Sequence, residues 1–192
     1  MKRISVIRLI AVLLIAACVG IAVYFQIDMH NSAQKAIADG KTLASRLTER
    51  SEGYPGVIQD TSMPVLEIGG TDYAGLLEIP AFGVVLPVGN TWNGSAFGAP
   101  RRFTGGVYGD TFVIGGMDYP GLFDFCDKIE HDTRVTVTDM TGTVFSYTVV
   151  RIDRADSAKS EWLLREDYAL TLFCRTAFST EYIAVRCVRS AS

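Results

Sequence analysis

Leu170-Thr171-Leu172-Phe173-Cys174-Arg175-Thr176 reads as a β-strand near the end of the chain. Side chains alternate along a strand, so Leu170, Leu172 and Cys174 share one face and Thr171, Phe173 and Arg175 share the other. The face with the leucines belongs to a hydrophobic core, which makes Cys174 a small buried hydrophobe. A slip of one residue would send every side chain to the wrong side, and a bulge at Cys174 is the local device that would re-aim its thiol.

Similar short runs precede and follow this strand. Residues 76–79, 84–88, 111–114, 135–138, 144–152 and 182–188 are rich in β-branched and apolar side chains, punctuated by Gly and Pro. Pro80, Ala81, Phe82 and Gly83 separate the first two, and Asp139, Met140, Thr141 and Gly142 form a hairpin-like turn. Residues 121–125 are expected to start a brief helix. The pattern predicts a mainly β fold, a closed barrel with short helices.

The amino end is different. Met1, Lys2 and Arg3 precede an apolar run over residues 4–25, interrupted only by the charge of Arg8. At about 1.5 Å per residue this run spans roughly 33 Å, enough for a hydrocarbon core of about 30 Å. Its flanking Lys and Arg all lie before it, which predicts a cytoplasmic N-terminus and a domain outside the cell. Ile15, Ala16, Ala17 and Cys18 loosely match a lipoprotein cleavage box, but the apolar run continues beyond Cys18 and favours an uncleaved anchor. Residues 30–50 carry Ala33, Ile37, Leu43, Ala44 and Leu47 at helical steps, with Gly40 as a soft spot. They read as a stalk in preference to a helix packed on the domain. Residues 51–62 read as a linker. The expected layout is an anchor over 1–27, stalk and linker over 28–62, and the barrel over 63–192.

The net charge is −3, and without Lys2, Arg3 and Arg8 the chain keeps 15 basic against 21 acidic residues, about −6. With no Lys/Arg cluster, a nucleic-acid partner is not expected. Cys126, Cys174 and Cys187 are the thiols outside the apolar run. Their odd number and wide spacing argue against a disulfide framework or a zinc site, and no cofactor or metal is expected.

Five segments, in order, resemble the sortases, the cysteine transpeptidases that attach proteins to Gram-positive cell walls. They are residues 75–88, 110–123, 139–150, 170–173 and 184–187. The general pattern is nearest to class B and class D-like members. The resemblance implies an eight-stranded sortase barrel and a site of Cys, His and Arg, for attack, proton transfer and oxyanion support. The family strand reads Thr-Leu-any-Thr-Cys. Thr171 and Leu172 match it, Cys174 stands at the second Thr, and Arg175 stands at the nucleophile. Met117, after Gly115 and Gly116, takes the His position, and a thioether cannot shuttle a proton. Tyr182 takes the Arg position, while Arg186 matches a non-catalytic Arg. His30, on the stalk, and His131, in a polar turn remote from the nucleophile strand, are expected to be solvated surface residues.

All three family-equivalent positions, Met117, Arg175 and Tyr182, are thus substituted. A contact of Arg175 with Tyr182 and a pairing of Asp118 with Arg175 are expected. This trio either plugs the old cleft or grips an extended peptide or carboxylate. Two functions stay open. One is an inactive, membrane-tethered homologue that binds a surface-protein sorting signal or assists an active sortase. The other is an active transpeptidase that uses Cys174 in a shifted register and joins a sorting signal to a cell-wall or pilin amine.

Overall fold

In the computed structural model, residues 2–51, 63–93, 98–156, 159–165, 167–176 and 180–190 are described. After a long helix, α1 (Lys2–Ser51), come β1 (Leu66–Ile68), β2 (Thr71–Ile79), β3 (Val84–Gly89), β4 (Arg101–Gly105) and β5 (Phe112–Met117). Then follow β6 (Arg134–Asp139), β7 (Val144–Ala155), a one-turn helix α2 (Ser160–Leu163), β8 (Leu170–Arg175) and β9 (Tyr182–Arg189). The sheet order is β1-β2-β3-β4-β5-β8-β9-β7-β6, and a further β2–β6 pairing closes it. Closure involves eight strands, β2 to β9, while β1 extends one end of β2 as a short hairpin. The β3–β4 junction is the thinnest part of the wall, a single parallel pair of Gly89 with Arg101.

The barrel interior is filled by the face that alternation assigns to it. Ile114 from β5, Leu170, Leu172 and Cys174 from β8, and Ile183, Val185 and Cys187 from β9 join one buried core. Residues 121–128 form a succession of turns beneath this core, not the expected brief helix. Gly121, at φ 78°, sets the chain direction there. Within the Asp139–Gly142 turn, one carboxylate oxygen of the buried Asp139 accepts from the N–H groups of Thr141 and Thr143, both at 2.9 Å, and from the Thr141 hydroxyl at 2.7 Å.

Helix α1 is continuous and, at 50 residues, about 75 Å long. Within its first half, residues 8–28 are exposed and mostly apolar, long enough to cross a membrane. The second half is not a free stalk. Ala33, Ala36, Gly40, Leu43 and Leu47, at steps of three and four, are buried against the barrel. Leu43 and Leu47 pack with Tyr73, Leu76 and Met140, and each buried leucine contributes about 1.5–3 kcal/mol. The Tyr73 hydroxyl donates to Asp39 at 2.8 Å. Of the expected 51–62 linker, Ser51 still belongs to α1 and the rest lies outside the described residues.

Gly40, expected as a soft spot, is a point of contact. A Cβ there would stand 2.4 Å from the Val85 carbonyl oxygen. Gly40→Ala gains about 1 kcal/mol of helix propensity but forces helix and strand apart, at an overpacking cost of about 1–3 kcal/mol. The expected net result is a lower Tm for the full chain in detergent. Gly20→Ala, where a Cβ meets nothing within 4 Å, should not lower it.

Candidate functional site

Parallel pairing of β5 with β8 sets Gly116 beside Cys174 and Met117 beside Arg175. Antiparallel pairing of β8 with β9 sets Cys174 beside Ile183 and Arg175 beside Tyr182. Met117, Arg175 and Tyr182 therefore stand in one row across three adjacent strands, at the same end of the barrel. Arg175 is exposed, and Met117 and Tyr182 are half-buried. Asp118 follows Met117, and neither it nor Arg175 lacks a partner. Neither ladder shifts register between residues 170 and 175, so no bulge re-aims Cys174. Its side chain, 1% exposed, points into the core.

The outer face behind this row is covered by aromatic rings that the sequence pattern did not reveal. Trp92, Phe103 and Phe173 form a mutual triad, with ring centres 5.5–5.6 Å apart. Gly115 makes room for it, since a Cβ there would lie 2.4 Å from the Trp92 ring and 2.7 Å from that of Phe173. Gly116 faces the other way, and its Cβ would lie 2.3 Å from the Phe123 ring. The two glycines make room for aromatic rings on both faces of the sheet. Adjacent glycines on a strand, with aromatic residues in the neighbouring loops, are the signal that marks such a site.

A second cover is pinned by Arg186, which is fully buried. Its guanidinium donates to the Asp153 carboxylate at 3.2 Å, to the Leu163 carbonyl at 3.1 Å, to the Thr171 hydroxyl at 3.1 Å and to the Trp162 carbonyl. It also lies over the rings of Trp162 and Tyr168, at 5.1 and 5.6 Å. These contacts hold α2 against the outer face, where Leu163 packs with Val113, Phe173 and Ala184. Burial pulls the Arg186 guanidinium below its ordinary value against the opposing pull of Asp153. Burial alone would raise the Asp153 carboxyl. Hydrogen bonds from Arg151 and Arg186 outweigh it and hold that carboxyl below the usual range. Arg186 thus has a structural task.

The two histidines are placed apart. His131 is exposed before β6, three strands away from β8 in the sheet order. His30 is exposed on α1 and, with Val23, Ile27 and Tyr119, lines a groove of about 550 Å³. Tyr119 is two residues beyond Met117, so His30 comes closer to the row than its place in the sequence suggests. Among the described residues, no group of three or more His, Cys, Asp or Glu is placed to hold a metal ion.

No protein-family model and no curated protein matches this chain. Solved structures do. Sortase C1 from Streptococcus agalactiae superposes with a TM-score of 0.57 at 20% identity, over 79% of this chain and 90% of that one. This is the sortase fold. Sortase A from Corynebacterium diphtheriae gives 0.56 at 15% identity, over 86% and 92% of the two chains. Sortase C from Clostridium perfringens gives 0.54 at 17%, over 88% and 97%. These matches carry the names sortase A and sortase C, whereas the sequence pattern pointed to classes B and D. At such identities the likeness establishes the sortase barrel and leaves the class open.

The Asp153–Arg186 pair has a pH signature. A carboxyl whose folded pKa is depressed contributes stability that is present above its unfolded value, about 3.9, and is lost as pH falls towards the folded one. Asp153→Asn should therefore be less stable than the parent chain at neutral pH. The gap in Tm should narrow as pH is taken below about 4. A constant gap from neutral to acid pH would remove this role from Asp153.

Proposed function

We propose that this chain is a membrane-anchored sortase homologue with its barrel outside the cell, inactive as a transpeptidase. It acts as a binding or accessory protein in cell-surface protein anchoring. The observation that carries this is the in-register row Met117–Arg175–Tyr182 with Cys174 turned into the core. The row occupies the family-equivalent positions with a thioether, a guanidinium and a phenol. None of these provides a thiolate nucleophile paired with a proton-shuttling imidazole. An active enzyme using Cys174 would need a register shift, and the continuous ladders on both sides of β8 weigh against it.

The binding role rests on Arg175. It is the exposed cation of the row, beside Tyr182 on the adjacent strand. A guanidinium with an aromatic neighbour suits a carboxylate or the backbone of an extended peptide. The partner expected is a sorting signal of a surface protein or an active sortase presenting one. The anchor reading is supported by the exposed apolar half of α1 and by the basic residues that precede it.

The test uses the full chain in lipid nanodiscs and a panel of sorting-signal peptides. No cleavage and no transfer to an amine acceptor are expected, and Cys174→Ala should leave peptide binding unchanged. Arg175→Ala should weaken binding about tenfold or more, because a charge-assisted hydrogen bond contributes about 1.5–3 kcal/mol. Turnover that is abolished by Cys174→Ala would overturn the inactive assignment.

A further inference from the structure

Cys126 and Cys174, 48 residues apart in the chain, meet inside the barrel. Phe123 lies against Gly116, and the Cys126 N–H donates to the Phe123 carbonyl at 3.1 Å. Gly116 is in turn the ladder partner of Cys174. This path places the two thiols in the same buried core, near enough for Cys174 to act on the Cys126 thiol. Cys187 is not part of the pair. It lies four residues along β9 from Ile183, the partner of Cys174, which is roughly 13 Å at strand rise.

We infer that Cys126 and Cys174 are a disulfide site, joined by exchange with an external low-molecular-weight disulfide such as oxidised glutathione. The Cys126 thiolate attacks one sulfur of the oxidant and expels one glutathione thiolate. The Cys174 sulfur then attacks Cys126 and expels the second. The protein loses two electrons and two thiol protons, and the oxidant is reduced to two thiols that take up those protons. The bond requires the sulfurs to close to about 2.05 Å. Oxidation belongs to folding, before the core closes. In the finished core, burial raises the Cys126 thiol well above its ordinary range, reinforced by Cys174 and by the charges of Asp118 and Asp127.

The bond ties the last inward-facing residue of β8 to the turns that follow β5. Arg175 directly follows Cys174 on β8, and Met117 ends β5 ahead of those turns. The bond also consumes the fallback nucleophile. The inference rests on the proposed placement outside the cell, where disulfides persist.

The experiment is cell-free synthesis of the full chain into lipid nanodiscs in a glutathione redox buffer, so that oxidation can precede burial. Free thiols are then blocked with N-ethylmaleimide in denaturant, and peptides are mapped before and after reduction. A Cys126–Cys174 linked peptide is expected, with Cys18 and Cys187 fully labelled. In Cys126→Ser, Cys174 should become labelled, and in Cys174→Ser, Cys126 should. Maleimide on both cysteines, a glutathione adduct left on either, or a bridge to Cys187 or to a second chain would overturn the inference. The same mapping on chain made in cells tests the placement separately. A bridge formed in nanodiscs but reduced in cells would count against the external location and leave the pair intact.

Discussion

Two adjacent residues without side chains, Gly115 and Gly116, set the terms for the rest of this barrel. They sit in β5, and alternation turns the missing Cβ of one outward and of the other inward. Trp92 occupies the outer space and Phe123 the inner one, each so close that a single methyl group would collide with its ring. The outer ring extends through Phe103 and Phe173 into a cover over the sheet. The inner ring directs the turns at 121–128, which bring Cys126 to Cys174. Close packing transmits such constraints because interiors have little free volume.

The row of Met117, Arg175 and Tyr182 depends on the same constraint. It begins one residue after Gly116, and the parallel β5–β8 ladder copies that position onto β8. Arg186 performs a corresponding task on the outer face, where its buried guanidinium gathers Asp153, Thr171 and two carbonyls of α2 around one charge. A buried charge with this many partners is costly to disturb, since loss of one partner leaves the others desolvated and unpaired. In this barrel the buried arginine is an architectural element, while Arg175 stands exposed at the end of β8.

The fold was legible in the sequence to the extent that its strands were amphipathic or apolar. The runs at 76–79, 84–88, 135–138, 144–152 and 182–188 announced β2, β3, β6, β7 and β9. Strand β4, Arg101-Arg102-Phe103-Thr104-Gly105, escaped notice because only one of its residues is strongly apolar, and pairing with β5 holds it in place. Strand β1 and helix α2 are too short to leave a periodic signal. Residues 121–125 have the composition of a helix start, but Gly121 at positive φ and the docking of Phe123 on Gly116 select turns. In the sequence, helix α1 reads as two pieces, an apolar anchor and a weakly amphipathic stalk. The stripe that packs on the barrel includes Ala33, Ala36 and Gly40, whose small side chains weigh little in a hydrophobic pattern yet permit close approach.

By itself the sequence determined the alternation of β8, the inward direction of Cys174 and the side-chain chemistry at positions 117, 175 and 182. These are local properties, set by a period of two and by residue type. Only the tertiary structure decided that those positions form one row and that aromatic rings cover the face behind them. It alone placed α1 on the barrel and Cys126 against Cys174. Each of these depends on strand partners or packing neighbours far apart in the chain, and a linear pattern holds no record of which distant segments meet.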